Sequence, residues 1–201
     1  MNTWALAAPS AENHLSRNVK GVLFLDYVRM LRKSQAAHWA DVLEPEDIIY
    51  LVSRIESDGW YPMDSFERLG NAILRHIAHG EVQAARLWGR MSVDPLLTSS
   101  PNLLSPRDPL ETLMRFRVYR STFFDFEALN VTTLVDDHAE IVIAYGMGHM
   151  AEEAASYQTM GFFERLLELA SATQIEARFK ERSWAGDPRT LLALGWEPPS
   201  R

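Results

Sequence analysis

Gly146-Met147-Gly148-His149-Met150-Ala151 is the segment with the most definite chemical pattern. It fits G-x-G-x-x-A, follows an alternating apolar run and opens a helical one. In a dinucleotide fold such glycines let backbone amides approach a pyrophosphate at a helix N-terminus. Its surroundings point instead to a sharp strand-to-helix turn. The run before it reads as half of a hairpin, and the helix after it is long for a first βαβ unit. The next strand, around Ile175 to Lys180, has one polar face, unlike a buried parallel strand. His76 and His79 share one side of a helix, a spacing that can hold a metal. No third ligand lies near them, so the pair reads as fortuitous. Glu152-Glu153 reads as a solvated helix start beside the dipole, and Glu164 and Glu168, flanking Arg165, as an exposed face. The chain has no G-x-S-x-G elbow, no Walker A loop and no H-E-x-x-H. An enzyme reading is therefore left without named catalytic residues.

Composition narrows the classes further. The chain has 201 residues, 47% hydrophobic and 23% charged, which suits one globular domain. With no cysteine, disulfides, thiolate zinc sites, iron–sulfur clusters and cysteine nucleophiles are excluded. A net charge of −7 disfavours nucleic acid, whose phosphates need facing cations. Apart from Lys20, Lys33 and Lys180 the cations are arginines, whose planar fork suits carboxylates. Arg115, Arg117 and Arg120 are the one local basic cluster and read as a solvated or acid-paired face. Met1 to Ser10 lacks the basic start and apolar run of a signal peptide. No stretch approaches the ~20 apolar residues of a membrane span, so the expected location is the cytoplasm.

The elements that must position any site follow from periodicity. Residues 1–17 read as a flexible arm and 18–201 as a single α+β domain. Val19 to Phe24 predicts a short strand, and Leu25, Val28 and Leu31 a helix to about Trp39. Pro45 opens a second helix, ended by Asp58-Gly59. Asp64 with Glu67 fits a capping box for a third, and a fourth spans about Val82 to Met91. Asp94 to Pro109, rich in proline, serine and threonine, predicts a long connection whose order is left open. After a helix over Leu110 to Arg120, Phe124 to Ala128 and Ala139 to Tyr145 alternate and predict a hairpin about Asp136-Asp137. A long helix from His149 to Ala170 follows. A second hairpin then turns at Gly186-Asp187-Pro188 and ends before Pro198. A helical part followed by two hairpins separated by one long helix is α+β, with an antiparallel sheet.

Four landmarks carry a family resemblance: Val19-Lys20-Gly21, Tyr61-Pro62, Ala85-Arg86-Leu87-Trp88-Gly89-Arg90 and Gly161-Phe162-Phe163-Glu164-Arg165. In order and spacing the chain resembles, from about residue 18 to 197, a paralogous family of unknown function abundant in myxobacteria. That family looks like a distant relative of haem–nitric-oxide-binding domains, vinyl-reductase-type ligand domains and TRAPP vesicle-tethering subunits. The resemblance implies a binding fold, often dimeric, with a pocket between helices and sheet. In the haem branch it also implies a Y-x-S-x-R motif for the haem propionates and a proximal histidine upstream. This chain has Tyr145-Gly146-Met147-Gly148-His149 at the motif, and Leu110 to Arg120 holds no histidine. Haem is therefore not expected, and no cofactor or metal is assigned.

Together these readings lead to a non-catalytic regulatory or scaffold protein that binds a protein partner, as a homodimer. A small-molecule sensor with a pocket near Tyr145, His149 and Tyr157 is the alternative, and an enzyme the weakest one. Tyrosine and tryptophan suit either binding role because they join apolar area to a polar tip.

Overall fold

The structure, a computed structural model, describes residues 17–199. The expected arm lies outside the described residues except for Arg17, whose carbonyl accepts from the Met63 N–H. Two short strands, β1 (Asn18–Lys20) and β2 (Trp60–Pro62), pair antiparallel with Val19 opposite Tyr61. The predicted strand through Phe24 stops at Lys20, because helix α1 (Gly21–Lys33) begins at once. A Cβ on Gly21 would collide with the Glu56 carbonyl, so only glycine lets the chain turn there. Phe24, Tyr27, Val28 and Leu31 form the buried stripe of α1. The helix ends at Lys33 rather than Trp39, where Ser34 becomes extended.

Helix α2 (Pro45–Val52) starts on proline, with Glu46 and Asp47 in its first turn. Asp47 is fully buried and receives two hydrogen bonds from the Arg68 guanidinium, at 2.5 and 2.9 Å. Arg68 belongs to α3 (Met63–His76), so this bidentate pair fastens α2 to α3. The predicted capping box does not form. The helix starts at Met63, one residue before Asp64, and Glu67 reaches across the molecule to the Gly148 N–H at 2.9 Å.

Helix α4 runs from Val82 to Ser99, straight through Pro95, where a connection was expected. Proline removes one helical donor, but the carbonyl it orphans belongs to the exposed Met91, which solvent can serve. The remaining connection is well tied. Leu103 is fully buried, and Arg115 donates to the Asn102 and Leu104 carbonyls. Asp108 then caps α5 (Pro109–Tyr119) through the Glu111 N–H at 2.9 Å.

The sheet has four antiparallel strands in the order β3 (Leu129–Leu134), β4 (His138–Ile143), β6 (Thr190–Glu197), β5 (Thr173–Glu181). The second hairpin, the Asp136-Asp137 turn and the long helix α6 (His149–Leu169) lie where the sequence puts them, but the predicted strand over Phe124 to Ala128 does not form and β3 follows it instead. The first strand starts later than its alternation implies. Phe124 to Ala128 forms no ladder beyond one bridge from Phe124 to Val19, and Phe124 and Phe126 pack on each other edge-on. One hydrophobic cluster runs through helices and sheet, from Val19 to Trp196.

Helices α4 and α6 make the closest crossing. A Cβ on Gly89 would collide with the Gln158 carbonyl, and one on Gly161 with the Arg86 carbonyl. The two backbones thus touch at reciprocal glycines. Arg86 grips the buried Glu164 through two nitrogens, Arg90 bonds Glu168 at 2.7 and 2.8 Å, and Arg165 bonds Asp94. Alanine at residue 161 gains about 1 kcal/mol of helix propensity. It must also force two rigid backbones apart, an overpacking cost at or above the usual range of about 1–3 kcal/mol. Gly161→Ala is therefore expected to lower stability by about 2 kcal/mol, read as a lower urea midpoint. Gly195→Ala, where a Cβ meets nothing within 4 Å, serves as the neutral comparison.

Candidate functional site

A cavity opens where the helical half meets the sheet. Helix α1 contributes Leu23, Asp26 and Tyr27, at the i, i+3, i+4 spacing that shares one helical face. Phe66 comes from α3, Ser92 and Leu96 from α4, and Phe116 from α5. Phe123, Phe124 and Leu129 close the lower side, and Tyr145 enters from the end of β4. Helix α6 completes the wall with Ala155, Gln158, Thr159 and Phe162. About 80 Å³ is open to the centres of water-sized molecules, within about 660 Å³ of empty space that includes the part open to solvent.

Two polar pairs, one hydroxyl–amide and one hydroxyl–hydroxyl, decorate this wall. The Tyr27 hydroxyl donates to Gln158 Oε1 at 2.6 Å. Tyr145 and Thr159 hydroxyls lie 2.6 Å apart. Thr159 has one proton, and its hydroxyl lies 2.9 Å from the Ala155 carbonyl, so Tyr145 is the donor in the pair. Burial pushes both phenols upward in pKa, which keeps them neutral hydrogen-bonding groups. Tyr27 also stacks on Phe66, with centroids 4.2 Å apart, which fixes the α1 side of the wall.

Beside the cavity lies the Gly146-Met147-Gly148 turn, and every part of its geometry is held by a charged side chain. Gly146 has φ +64, and a Cβ there would strike the Arg17 guanidinium. Arg17 donates to the Tyr145 carbonyl at 2.6 Å and the Gly146 carbonyl at 3.0 Å. Glu152 accepts from the Tyr145 and Met147 N–H groups at 3.3 and 2.9 Å, and Glu67 from that of Gly148. A dinucleotide would need these same N–H groups, and β4 belongs to an antiparallel sheet, so the pyrophosphate use of the motif is ruled out.

Sequence grouped Tyr145, His149 and Tyr157 around one pocket, and the structure separates them. Tyr145 is buried in the cavity wall. His149 is exposed at the first residue of α6. Tyr157 points to the other side of α6, packing on Phe179 and Trp184 with centroids 5.2 and 6.3 Å away. A helical turn is 3.6 residues, so Tyr157 and the cavity-facing Gln158 and Thr159 cannot share one direction. Asp26, Tyr27, Gln158 and Thr159 were missed; the signal available was polar residues interrupting otherwise apolar helical faces. His76 packs edge-on against Trp39, while His79 is exposed beyond the helix end at φ +52. Among the described residues no group of three potential metal-ligating side chains comes together. Of the basic cluster, Arg115 pairs with Glu111 and Arg120 with Glu127, the acid-paired face expected.

Comparison with known proteins identifies the fold. No protein-family model matches the sequence, and no curated protein matches it either. Solved structures of H-NOX proteins do match. The Fe(II) unliganded H-NOX protein from K. algicida superposes with a TM-score of 0.65 at 13% identity, over 90% of this chain and 98% of that one. A mutant of the T. tengcongensis H-NOX gives 0.58 at 15% identity, over 90% and 100%. An oxygen-binding H-NOX domain related to soluble guanylate cyclases, in its oxygen complex, gives 0.57 at 16%, over 90% and 96%. The chain therefore has an α+β, H-NOX-like fold over nearly its whole length, as the haem–nitric-oxide-binding branch of the resemblance implied. Among the described residues no helix is long and apolar enough to cross a membrane.

Burial pushes the Glu152 carboxyl up, only partly offset by the Met147 and Tyr145 N–H donors, and the nearby Glu67 adds to the rise. A carboxyl raised in the folded state stabilises the fold fully below its unfolded pKa. That contribution is lost as pH rises through the folded value. Thermal melts from about pH 4 to 7 should show the wild type losing stability relative to Glu152→Gln as pH increases. Parallel curves for the two proteins would refute this account of the turn.

Proposed function

We propose that this chain is a haem-free regulatory sensor domain that binds a small organic molecule in the cavity between α1, α6 and the sheet. The cavity carries this reading: a wall rich in aromatic residues with two oriented tyrosine hydroxyls, at the junction of two halves in a ligand-binding fold. The fold favours the sensor over the protein-binding scaffold, which draws on composition and resemblance alone. Binding rather than turnover suits the polar groups, since neutral phenols with raised pKa values are poor acids and bases near pH 7.

The Fe(II) and oxygen-complexed structures of similar fold raise haem as the ligand, and the residues here do not fit it. Helix α5 has no histidine, and the cavity wall has neither histidine nor cysteine. Tyrosine can ligate haem iron, but both cavity phenols are engaged and held protonated by burial. The turn that would receive propionates already has its Tyr145, Met147 and Gly148 N–H groups on Glu152 and Glu67. A propionate there would meet two carboxylates beside a single cation, Arg17, already bonded to the Tyr145 and Gly146 carbonyls.

Titration with N-phenyl-1-naphthylamine, a neutral apolar fluorophore, tests the reading. Saturable enhancement at one equivalent is expected. Ala155→Leu, which fills the α6 side of the wall, should weaken it by about tenfold or more, or ~1.4 kcal/mol. Non-saturable binding, or binding indifferent to Ala155→Leu, overturns the cavity assignment. Hemin titrated into the same protein is expected to give no stoichiometric Soret band.

A further inference from the structure

The charge balance of the cavity narrows its ligand, an inference that rests on the sensor reading above. Five phenylalanines, Phe66, Phe116, Phe123, Phe124 and Phe162, line the wall. Asp26 is the one acidic residue among them, and no lysine, arginine or histidine lines it. Asp26 shares its helical face with Leu23 and Tyr27 and lines the α1 side of the cavity, with its side chain 37% exposed.

That carboxylate is poorly compensated. Its one partner among the described residues is Arg29 Nη1 at 3.5 Å, on a largely exposed side chain. A charge-assisted bond is normally nearer 2.7–2.9 Å, so this contact is weak (about 3 Å or less marks a good one). Burial raises the Asp26 carboxyl, and Arg29 does not reverse the effect. Arg17, the cation of the adjoining turn, is committed to the Tyr145 and Gly146 carbonyls. The wall thus presents a half-exposed carboxylate with little protein compensation beside several aromatic rings. Both features attract a cation, the faces through their quadrupoles. A carboxylate or phosphate would lie next to Asp26 with no lysine, arginine or histidine in the lining to receive it.

We propose that the cavity selects apolar amines: a ring-bearing hydrophobic body among the phenylalanines, with a protonated amine on the Asp26 carboxylate. Calorimetric titration with 4-phenylbutylamine, 4-phenylbutanol and 4-phenylbutyrate isolates the head group, because the three share one body. At neutral pH the amine should bind about tenfold or more tighter than the alcohol, and the carboxylate weakest. Asp26→Asn should remove the advantage of the amine and leave the alcohol unchanged, so alcohol binding also reports that the variant is folded. An amine no tighter than the alcohol, or an advantage that survives Asp26→Asn, overturns the amine class while the cavity reading stands. If none of the three binds but N-phenyl-1-naphthylamine does, the amine class again falls alone. If the fluorophore fails as well, both fall together.

Discussion

Backbone contact between α4 and α6 is the constraint on which the rest of the structure depends. At Gly89 and Gly161 each helix rests on a carbonyl of the other, with no side chain between them. Packing at this distance fixes the crossing more rigidly than apolar side chains could, because backbone has no rotamers to yield. Arginine–carboxylate pairs then set the register along the helices: Arg86 on Glu164, Arg90 on Glu168 and Arg165 on Asp94. Glu164 is buried, so its pairing is obligatory; exposed partners such as Asp94 add little. The same two helices present Ser92 and Leu96, and Ala155, Gln158, Thr159 and Phe162, to the cavity. The site is built on the stiffest part of the molecule.

The landmarks of the family resemblance acquire a physical meaning from this packing. Ala85 to Arg90 and Gly161 to Arg165 are the two sides of the α4–α6 crossing. Val19-Lys20 and Tyr61-Pro62 lie in the two strands of the small sheet, and Gly21 opens α1 beside them, where the Tyr61 ring stacks on Phe24 and closes over Gly21. Four short motifs thus reduce to two mutual contacts. They specify how the fold is held together, and the cavity residues lie mostly between them.

How far the sequence could be read follows from how local each feature is. The hairpin turns, the length of α6 and the strand-to-helix turn at Gly146 depend on neighbours in the chain, and all were legible. The ends of α1 and α4 were not. Gly21 starts a helix because of Glu56, and Pro95 is tolerated because of where Met91 faces. Glu67 looked like half of a capping box and instead holds Gly148, 81 positions away. The site shows the same divide. Tyr145 was visible at the end of a strand, whereas Tyr27 joins it only by meeting Gln158, 131 positions later in the chain. Tyr157 was misplaced by a single residue of helical phase.

Walls of unequal stiffness surround the cavity. On the α4–α6 side the backbones are already in contact, so no side chain there can rearrange around a ligand. Across from it, α1 faces α6 through the Tyr27–Gln158 hydrogen bond and the stacking of Tyr27 on Phe66. These are side-chain contacts, and parting Tyr27 from Gln158 would leave a buried hydroxyl without a partner. The two sides of the cavity thus differ in kind: a hydrogen bond and a ring stack hold α1, whereas the glycine crossing has no side chain that could rearrange.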